Sequence, residues 1–346
     1  MTTLMFGALA AARLGAAATP FFAYKETDPQ SKLEVIVLRH EDRKQPARSL
    51  EARVAPAAGA NLFSFKVGDD ELLVQPPTLA ELATSPAGTP VLFPMPNRVR
   101  DGVFVFEGRR FQFPPNNGPN FIHGLVRRRP FHAGEPAVGN GEASVSLWID
   151  WDASQPDFAQ FPLEHRLTLT FTLKRAGLGI GYAVENKGSG RLPFGFGLHP
   201  WFRVPGERAA VLLKVPAAQR MEAVDKLPTG KLLPVQKTAF DLRHPTPLAG
   251  LDLDDVYFGM TPPAPPAFEW RDQGIRVSLG ASRQFTHLVV FTPPERPTFC
   301  IENQTSSTDA HNLNERGLQR EAHLIVVDPG KTARGSVAWK ITRKVR

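Results

Sequence analysis

Apolar and polar residues alternate along many short segments of this chain. In residues 166–173, Leu and Phe occupy one set of alternate positions and Thr and Arg the other, which predicts a strand with one buried face. Similar segments recur at residues 33–38, 61–67, 103–106, 109–113, 144–151, 178–184, 210–215, 275–279, 286–291, 299–302, 323–327 and 336–341. The pair 103–106 and 109–113 indicates a hairpin with a Gly-containing turn. Closely spaced strands without intervening helices predict an all-β antiparallel sandwich or barrel.

Helical signals are weak, and only residues 78–83 favour a short helix. No repeat of fixed period occurs, and the proline-rich stretch 262–266 is short enough to be a stiff surface loop. We therefore expect one domain over residues 25–346, preceded by a loose N-terminal leader over residues 1–24. Residues 5–18 are small and apolar, but Arg13 interrupts them and no basic residue precedes them. We expect a cytoplasmic protein with no membrane partner.

The composition excludes several kinds of site. The 346 residues include 24 Phe, 28 Gly and 33 Pro, which suits strands joined by many turns, and a single Cys, which excludes a disulfide framework and a multi-cysteine metal site. The net charge is +7, but its densest patches, residues 127–129 and 343–346, are too short to follow a phosphate backbone. We expect no nucleic-acid partner, no metal and no cofactor; the oligomeric state stays open.

Two of the nine histidines have unusual surroundings. His123 ends a loop, residues 116–124, that is dense in Asn, Gly and Pro and offers donors and acceptors for hydroxyl groups. His199 follows two glycines and precedes Pro200 and Trp201, so aromatic faces lie close to one imidazole, as suits the apolar face of a sugar ring. A buried, hydrogen-bonded structural histidine is the plainer interpretation of each.

Carboxylates supply the remaining candidates. Glu302 directly follows the apolar run 299–301, so it has either a shifted pKa or a partner such as a strand-end arginine. Asp254 and Asp255 are adjacent, which turns one inward and one outward on a strand. Arg98 and Arg100 flank Val99 and share one side of a strand or loop; a solvated surface explains these pairs equally well.

Taken in order, several of these motifs resemble the aldose 1-epimerase (mutarotase) family, over a span from about residue 33 to residue 341. The motifs are Asn97-Arg98, residues 116–124, His199-Pro200-Trp201-Phe202, Asp255-Val256-Tyr257-Phe258 and Glu302-Asn303-Gln304. The resemblance implies a large antiparallel β-sandwich of the galactose mutarotase type with an open cleft for a pyranose. It also implies an enzyme that interconverts the α and β anomers of an aldohexose.

The resemblance further implies a role for each matching residue. Glu302 matches the general base, His199 the general acid and His123 a second histidine near the ring oxygen. Asn97, Arg98 and Asp255 match positions that hold sugar hydroxyls, with Asp254 in place of Asp255 if the register is shifted by one. A hexose-6-phosphate 1-epimerase and a non-catalytic carbohydrate-binding protein on the same fold remain alternatives, because fold does not determine function.

Overall fold

Antiparallel strands organise the chain in the computed structural model, which describes residues 20–260 and 264–344. The first strands are β1 (Phe21–Thr27), β2 (Glu34–His40), β3 (Leu50–Ala55), β4 (Asn61–Val67), β5 (Asp70–Glu71), β6 (Val91–Leu92), β7 (Arg98–Val99), β8 (Val103–Phe106), β9 (Arg109–Gln112) and β10 (Phe121–Ile122). The middle strands are β11 (His132–Ala133), β12 (Ala137–Gly139), β13 (Glu142–Trp151), β14 (His165–Lys174), β15 (Gly177–Asn186), β16 (Leu192–Phe194), β17 (Gly197–Leu198), β18 (Trp201–Arg203), β19 (Val211–Lys214) and β20 (Gln219–Val224). The last elements are β21 (Leu227–Pro234), β22 (Thr246–Pro247), β23 (Asp254–Phe258), β24 (Ala267–Trp270), β25 (Ile275–Ala281), β26 (His287–Phe291), β27 (Thr298–Gln304), α1 (Ala310–Glu315), α2 (Gln319–Ala322), β28 (Ile325–Val327) and β29 (Thr332–Arg343).

Two large sheets and one smaller sheet contain most of these strands. The ten-stranded sheet runs β11-β13-β14-β15-β29-β25-β24-β19-β22, with β12 beside β13. The eight-stranded sheet runs β21-β20-β23-β26-β27-β17-β6, and β18 also pairs with β27. Strands β1 to β5 form a five-stranded meander, in which each strand pairs with the next along the chain.

Aromatic side chains join the two large sheets. Phe202 of β18 lies 5.2 Å, between ring centroids, from Trp339 of β29, and Phe299 of β27 lies 5.1 Å from Phe268 of β24. All four rings are almost fully buried, so they form the core between the sheets. The predicted large antiparallel β-sandwich is confirmed.

The alternation in the sequence corresponds to the two faces of the strands. In β14, Leu167, Leu169 and Phe171 are buried in the core, whereas the threonines between them are half-buried on the other face. The predicted hairpin is β8–β9, and its turn residues Glu107 and Gly108 both have positive φ (51° and 76°), as a two-residue turn of this type requires.

Two boundaries differ from the expectations. Residues 78–83 contain only a single 3₁₀ turn at Leu79–Glu81. Strand β1 begins at Phe21, so the expected boundary after Tyr24 falls inside a strand that pairs with β2, while residues 1–19 of the expected leader lie outside the described residues. Within residues 20–260 and 264–344, every helix is too short or too polar to cross a membrane.

Candidate functional site

The candidate functional side chains of strand β27 lie on the face that points away from the core. Phe299 and Ile301 belong to the core between the sheets, so Cys300, Glu302 and Gln304 face the other side. Glu302 is 2% exposed, and the side-chain amide of Gln304 donates to its Oε2 over 3.0 Å. The site is therefore built on a rigid central strand.

His199 lies opposite Glu302 because of the strand register. Gly197 pairs with Gln304 and Trp201 pairs with Cys300, which places His199 across from Glu302 at the break between β17 and β18. His199 Nε2 lies 3.3 Å from Glu302 Oε1. The indole of Trp201 stacks on the imidazole, with 4.8 Å between centroids, and fixes its plane.

Asn97 and His123 reach the same place from a two-stranded ribbon. Strands β7 and β10 pair Arg98 with Ile122, so the residues just outside the pair, Asn97 and His123, lie side by side, and the His123 amide donates to the Asn97 carbonyl over 3.0 Å. Both residues have left-handed backbone conformations, with φ of 59° and 69°. Such strained residues persist where the surrounding structure holds them, and here they bring the His123 ring within 5.2 Å of His199.

Gly124 makes this approach sterically possible. Its φ is +69°, and a Cβ at this position would lie 2.2 Å from the Phe93 carbonyl oxygen. Only glycine fits both the backbone conformation and the close contact, so Gly124 sets the position of the neighbouring His123.

The register places Asp254, and not Asp255, on the face that carries Glu302. Asp254 pairs with Phe291, which pairs with Cys300, so Asp254 lies on the same face as Cys300 and Glu302 of β27. Its carboxylate bonds Lys226 Nζ at 2.6 Å and lies 3.8 Å from Arg98 Nη2. Asp254, the alternative to Asp255 if the register is shifted by one, is thus the aspartate on the face that carries Glu302.

Asp255 lies on the opposite face of β23. Its Oδ1 accepts a hydrogen bond from Arg220 Nη1 at 3.2 Å, and the same guanidinium stacks 3.7 Å from the centroid of Phe240. The neighbouring Tyr257 on that face belongs to the main core and donates to the Phe240 carbonyl. Asp255 therefore completes a structural ion pair at the edge of the core.

Arg98 is held in place by amide side chains. Its Nε donates to Asn117 Oδ1 at 2.9 Å and its Nη1 donates to Asn97 Oδ1 at 3.2 Å. This leaves Nη2 directed towards Asp254, with the arginine side chain only 14% exposed. The guanidinium is thus oriented before any ligand binds.

Burial controls the protonation of the central pair. Burial, with the neighbouring Asp254 carboxylate, raises the pKa of Glu302 well above its usual range, although the Gln304 amide favours the ionised form. Burial lowers the pKa of His199 to about 4. Burial and the nearby His199 also hold the pKa of His123 well below its usual range. Burial therefore favours the uncharged form of the carboxyl and of both imidazoles.

Two pockets lie on the side of the site that carries Arg98 and the two aspartates. A groove of about 720 Å³ lies between segments 100–101 and 224–229, with Arg100, Asn120 and Arg316 among its walls. Pro228 lines this groove and also a narrow cavity that reaches Arg98 and both aspartates. The candidate hydroxyl-binding residues Asn97, Arg98 and Asp254 therefore line a cavity next to the open groove.

Three contributions were not foreseen from the sequence: the Gln304 bond to Glu302, the Asn117 bond to Arg98, and the position of Cys300. One donor atom from each of His199, Cys300 and Glu302 lies within 4.8 Å of the others. The sequence contains one signal for these contributions. Cys300, Glu302 and Gln304 follow one another at a spacing of two residues, which places them on one face of a strand. The proximity of His199 to Cys300 depends on pairing between strands and had no local signal.

Comparison with known proteins identifies the family and the fold of this chain. A family model described as aldose 1-epimerase matches residues 47–340. Galactose mutarotase of Sus scrofa is 31% identical over 158 residues, which are 44% of this chain and 44% of that protein. The chain thus aligns with under half the length of this relative. An uncharacterised Escherichia coli protein, YphB, is 22% identical over 79% of this chain and 90% of its own length.

Solved structures share the architecture over nearly the whole chain. A galactose mutarotase-like protein from Clostridium acetobutylicum has a TM-score of 0.83 at 22% identity, covering 94% of this chain and 99% of that one. Galactose 1-epimerase from Lactobacillus acidophilus has a TM-score of 0.73 at 17% identity, covering 94% and 99%. At these identities the likeness concerns the fold.

Proposed function

This chain belongs to the aldose 1-epimerase family, and on that premise we propose that it interconverts the α and β anomers of an aldohexose. The observation that carries the proposal is the buried pair of Glu302 and His199, whose Oε1 and Nε2 atoms lie 3.3 Å apart. Ring opening needs one group that takes a proton from the anomeric hydroxyl and another that gives a proton to the ring oxygen. A carboxylate and an imidazole side by side can do both at once.

The reaction then balances with no net transfer of protons or electrons. Glu302 removes the proton from O1, the C1–O5 bond breaks with its electron pair moving to O5, and His199 delivers a proton to O5. The aldehyde formed at C1 rotates about the C1–C2 bond. Ring closure on the other face returns the proton of O5 to His199 and that of Glu302 to O1.

The uncharged form of the pair, which burial favours, holds the proton that this scheme requires. A protonated Glu302 with a neutral His199 carries as many protons as a carboxylate with an imidazolium. Transfer of one proton across their 3.3 Å contact therefore prepares base and acid together. Interactions of the bound sugar with the pair are then required to favour the ionised form, because burial alone disfavours it.

The surrounding residues are suited to hold the ring in this position. Asn97, Arg98 and Asp254 offer an amide, a guanidinium and a carboxylate on one side of the pair, and we assign the hydroxyl-binding role to Asp254 in place of Asp255. His123 lies close enough to His199 to contact the ring oxygen region. Fixing the ring relative to two catalytic groups supplies part of the rate enhancement through orientation.

The test is anomer interconversion followed by polarimetry, starting from pure α-anomers of glucose and galactose and from glucose 6-phosphate. Faster equilibration of at least one free hexose than in buffer is the expected result. No acceleration of either free hexose would contradict the proposal. The phosphorylated sugar is included because, of the three consecutive arginines 127–129, Arg127 acts electrostatically on both site histidines. Acceleration of the phosphate ester alone would move the substrate class from free to phosphorylated hexoses.

A further inference from the structure

Cys300 gives the central pair a third donor atom of a different chemical kind. It lies two residues before Glu302 on the same face of β27, and its partner in the register, Trp201, lies two residues after His199. One donor atom from each of His199, Cys300 and Glu302 lies within 4.8 Å of the others. The proposed sugar chemistry has no use for a thiol at this position.

We propose that these three side chains form a binding site for a thiophilic divalent cation such as Zn²⁺ or Cd²⁺, and that occupation of this site switches the enzyme off. Imidazole, thiolate and carboxylate are the donor types that Zn²⁺ takes in proteins, and three protein ligands with one open position are typical of accessible zinc sites.

The geometry needs little adjustment to bind such an ion. Zinc–ligand bonds of about 2.0–2.3 Å in a tetrahedral site place donor atoms roughly 3.3–3.8 Å apart. His199 Nε2 and Glu302 Oε1 already lie 3.3 Å apart, so movement of the Cys300 side chain by about 1 Å would complete the triangle. All three residues are at least 93% buried. Strand pairing fixes the backbones of Cys300 and Glu302, and the His199 amide donates to the Pro90 carbonyl over 3.0 Å.

The charges of the donor groups and the hydrogen bond between Gln304 and Glu302 also favour a cation site. A thiolate and a carboxylate together neutralise a dication, so the occupied site carries no net charge in its buried surroundings. The Gln304 amide donates to Oε2 of Glu302, which leaves Oε1, the oxygen nearest His199, free to coordinate. Such outer hydrogen bonds orient metal-binding carboxylates.

We expect inhibition of mutarotation because the cation would occupy the atoms that the sugar reaction uses. A bound cation occupies Nε2 of His199 and a carboxylate oxygen of Glu302, the atoms assigned to proton transfer, so cation and sugar exclude each other. This consequence rests on the proposed function. The binding site itself does not, because it depends only on the three donors.

Binding is tested on the full chain with Co²⁺ and Zn²⁺ as probes. We expect one Co²⁺ per chain with the near-ultraviolet absorption of a cobalt–thiolate bond, and we expect Cys300→Ser and Cys300→Ala to abolish that absorption. Both variants should weaken Zn²⁺ binding in calorimetry at least about 100-fold, since loss of an outer-shell partner alone costs 10–100-fold. His132→Asn removes an exposed histidine on β11 of the other large sheet and is the control for adventitious surface binding.

Activity provides the second readout. Zn²⁺ should inhibit mutarotation by the wild type competitively with sugar, and Cys300→Ser should keep basal mutarotation while losing this inhibition. Absence of the cobalt–thiolate absorption in the wild type, or equal Zn²⁺ affinity in wild type and both Cys300 variants, would overturn the proposal. A wild type that shows the absorption without any mutarotation would retain the metal site and reject only the proposed function.

Discussion

His199 Nε2 lies 3.3 Å from Glu302 Oε1 in a pair that is almost completely removed from solvent. The contact follows from strand register, because the pairing of Gly197 with Gln304 and of Trp201 with Cys300 sets the two side chains opposite each other. Burial favours the uncharged form of both partners, so the pair retains the one proton that acid–base catalysis at this position requires. The predictions below test this pair and its supports.

Replacement of Glu302 by Gln should lower kcat for mutarotation at least ~10²-fold, because the amide cannot accept the proton of the anomeric hydroxyl. The side chain keeps its size, so the circular dichroism spectrum and Tm should stay close to those of the wild type. Polarimetry at saturating sugar measures the effect. Glu185→Gln, at an exposed position on β15, is the control and should leave the rate unchanged; a Glu302→Gln rate within a few-fold of the wild type would refute the assigned base.

Replacement of His199 by Asn should also lower kcat at least ~10²-fold, because no acid then remains beside Glu302 to give a proton to the ring oxygen. The double variant with Glu302→Gln should be hardly slower than either single variant, since the two residues act as one unit. Initial rates from a pure α-anomer measure this. Losses that simply multiply would show that the two residues act independently.

The two adjacent aspartates should respond differently to the same substitution. Asp254→Asn should raise KM for the sugar about tenfold or more, because a charged hydrogen-bonding partner for a hydroxyl is lost. Asp255→Asn should leave KM unchanged and lower the free energy of unfolding by about 1–3 kcal/mol, because Arg220 loses its carboxylate partner. Steady-state kinetics and urea denaturation separate these outcomes, and the reverse pattern would restore Asp255 as the sugar ligand.

Gly124→Ala should destabilise the protein and impair activity. The added Cβ would lie 2.2 Å from the Phe93 carbonyl oxygen at a φ of +69°, so the backbone beside His123 must move. Gly118→Ala is a matched control, because its φ is +59° but nothing lies within 4 Å of the added Cβ. We expect a loss of about 1 kcal/mol for the control, and of several kcal/mol for Gly124→Ala. Equal losses in urea denaturation would remove the role assigned to the close contact.

Buried neutral histidines should make the protein sensitive to moderate acid. Burial lowers the pKa of His165 to about 4 and that of His287 to about 3, against an ordinary value of 6.5. At a pH between the folded pKa and 6.5, the unfolded chain binds protons that the folded chain does not. The stability that the neutral histidines contribute is therefore complete above pH 6.5 and is lost as pH falls towards 4.

His165→Asn isolates one of these protons. Between pH 6 and 5, the unfolding free energy of this variant should change less steeply with pH than that of the wild type, by about 1.2 kcal/mol per pH unit. Denaturant titrations at both pH values measure the difference. His132→Asn, at an exposed position, should leave the slope unchanged, and an unchanged slope in His165→Asn would show that His165 is protonated in the folded state.

Local sequence was sufficient to predict the class of structure and 13 of the 29 strands in the described residues. The alternation in residues 166–173 predicted β14 with its Leu and Phe side chains inward, because a strand turns successive side chains to opposite faces. The same rule was not enough for β1, whose polar and apolar residues alternate less regularly. It also overestimated the helix at residues 78–83, which tertiary packing reduces to one 3₁₀ turn.

Likewise, the sequence identified Glu302, His199, His123, Asn97 and Arg98 as candidates, through local context and ordered motifs. Tertiary structure decided which atoms meet. The choice between Asp254 and Asp255 depends on the pairing of β23 with β26 and of β26 with β27, and a shift of one residue would exchange the two faces. The proximity of Cys300 to His199 also arises from register between segments about a hundred residues apart, which local composition does not encode.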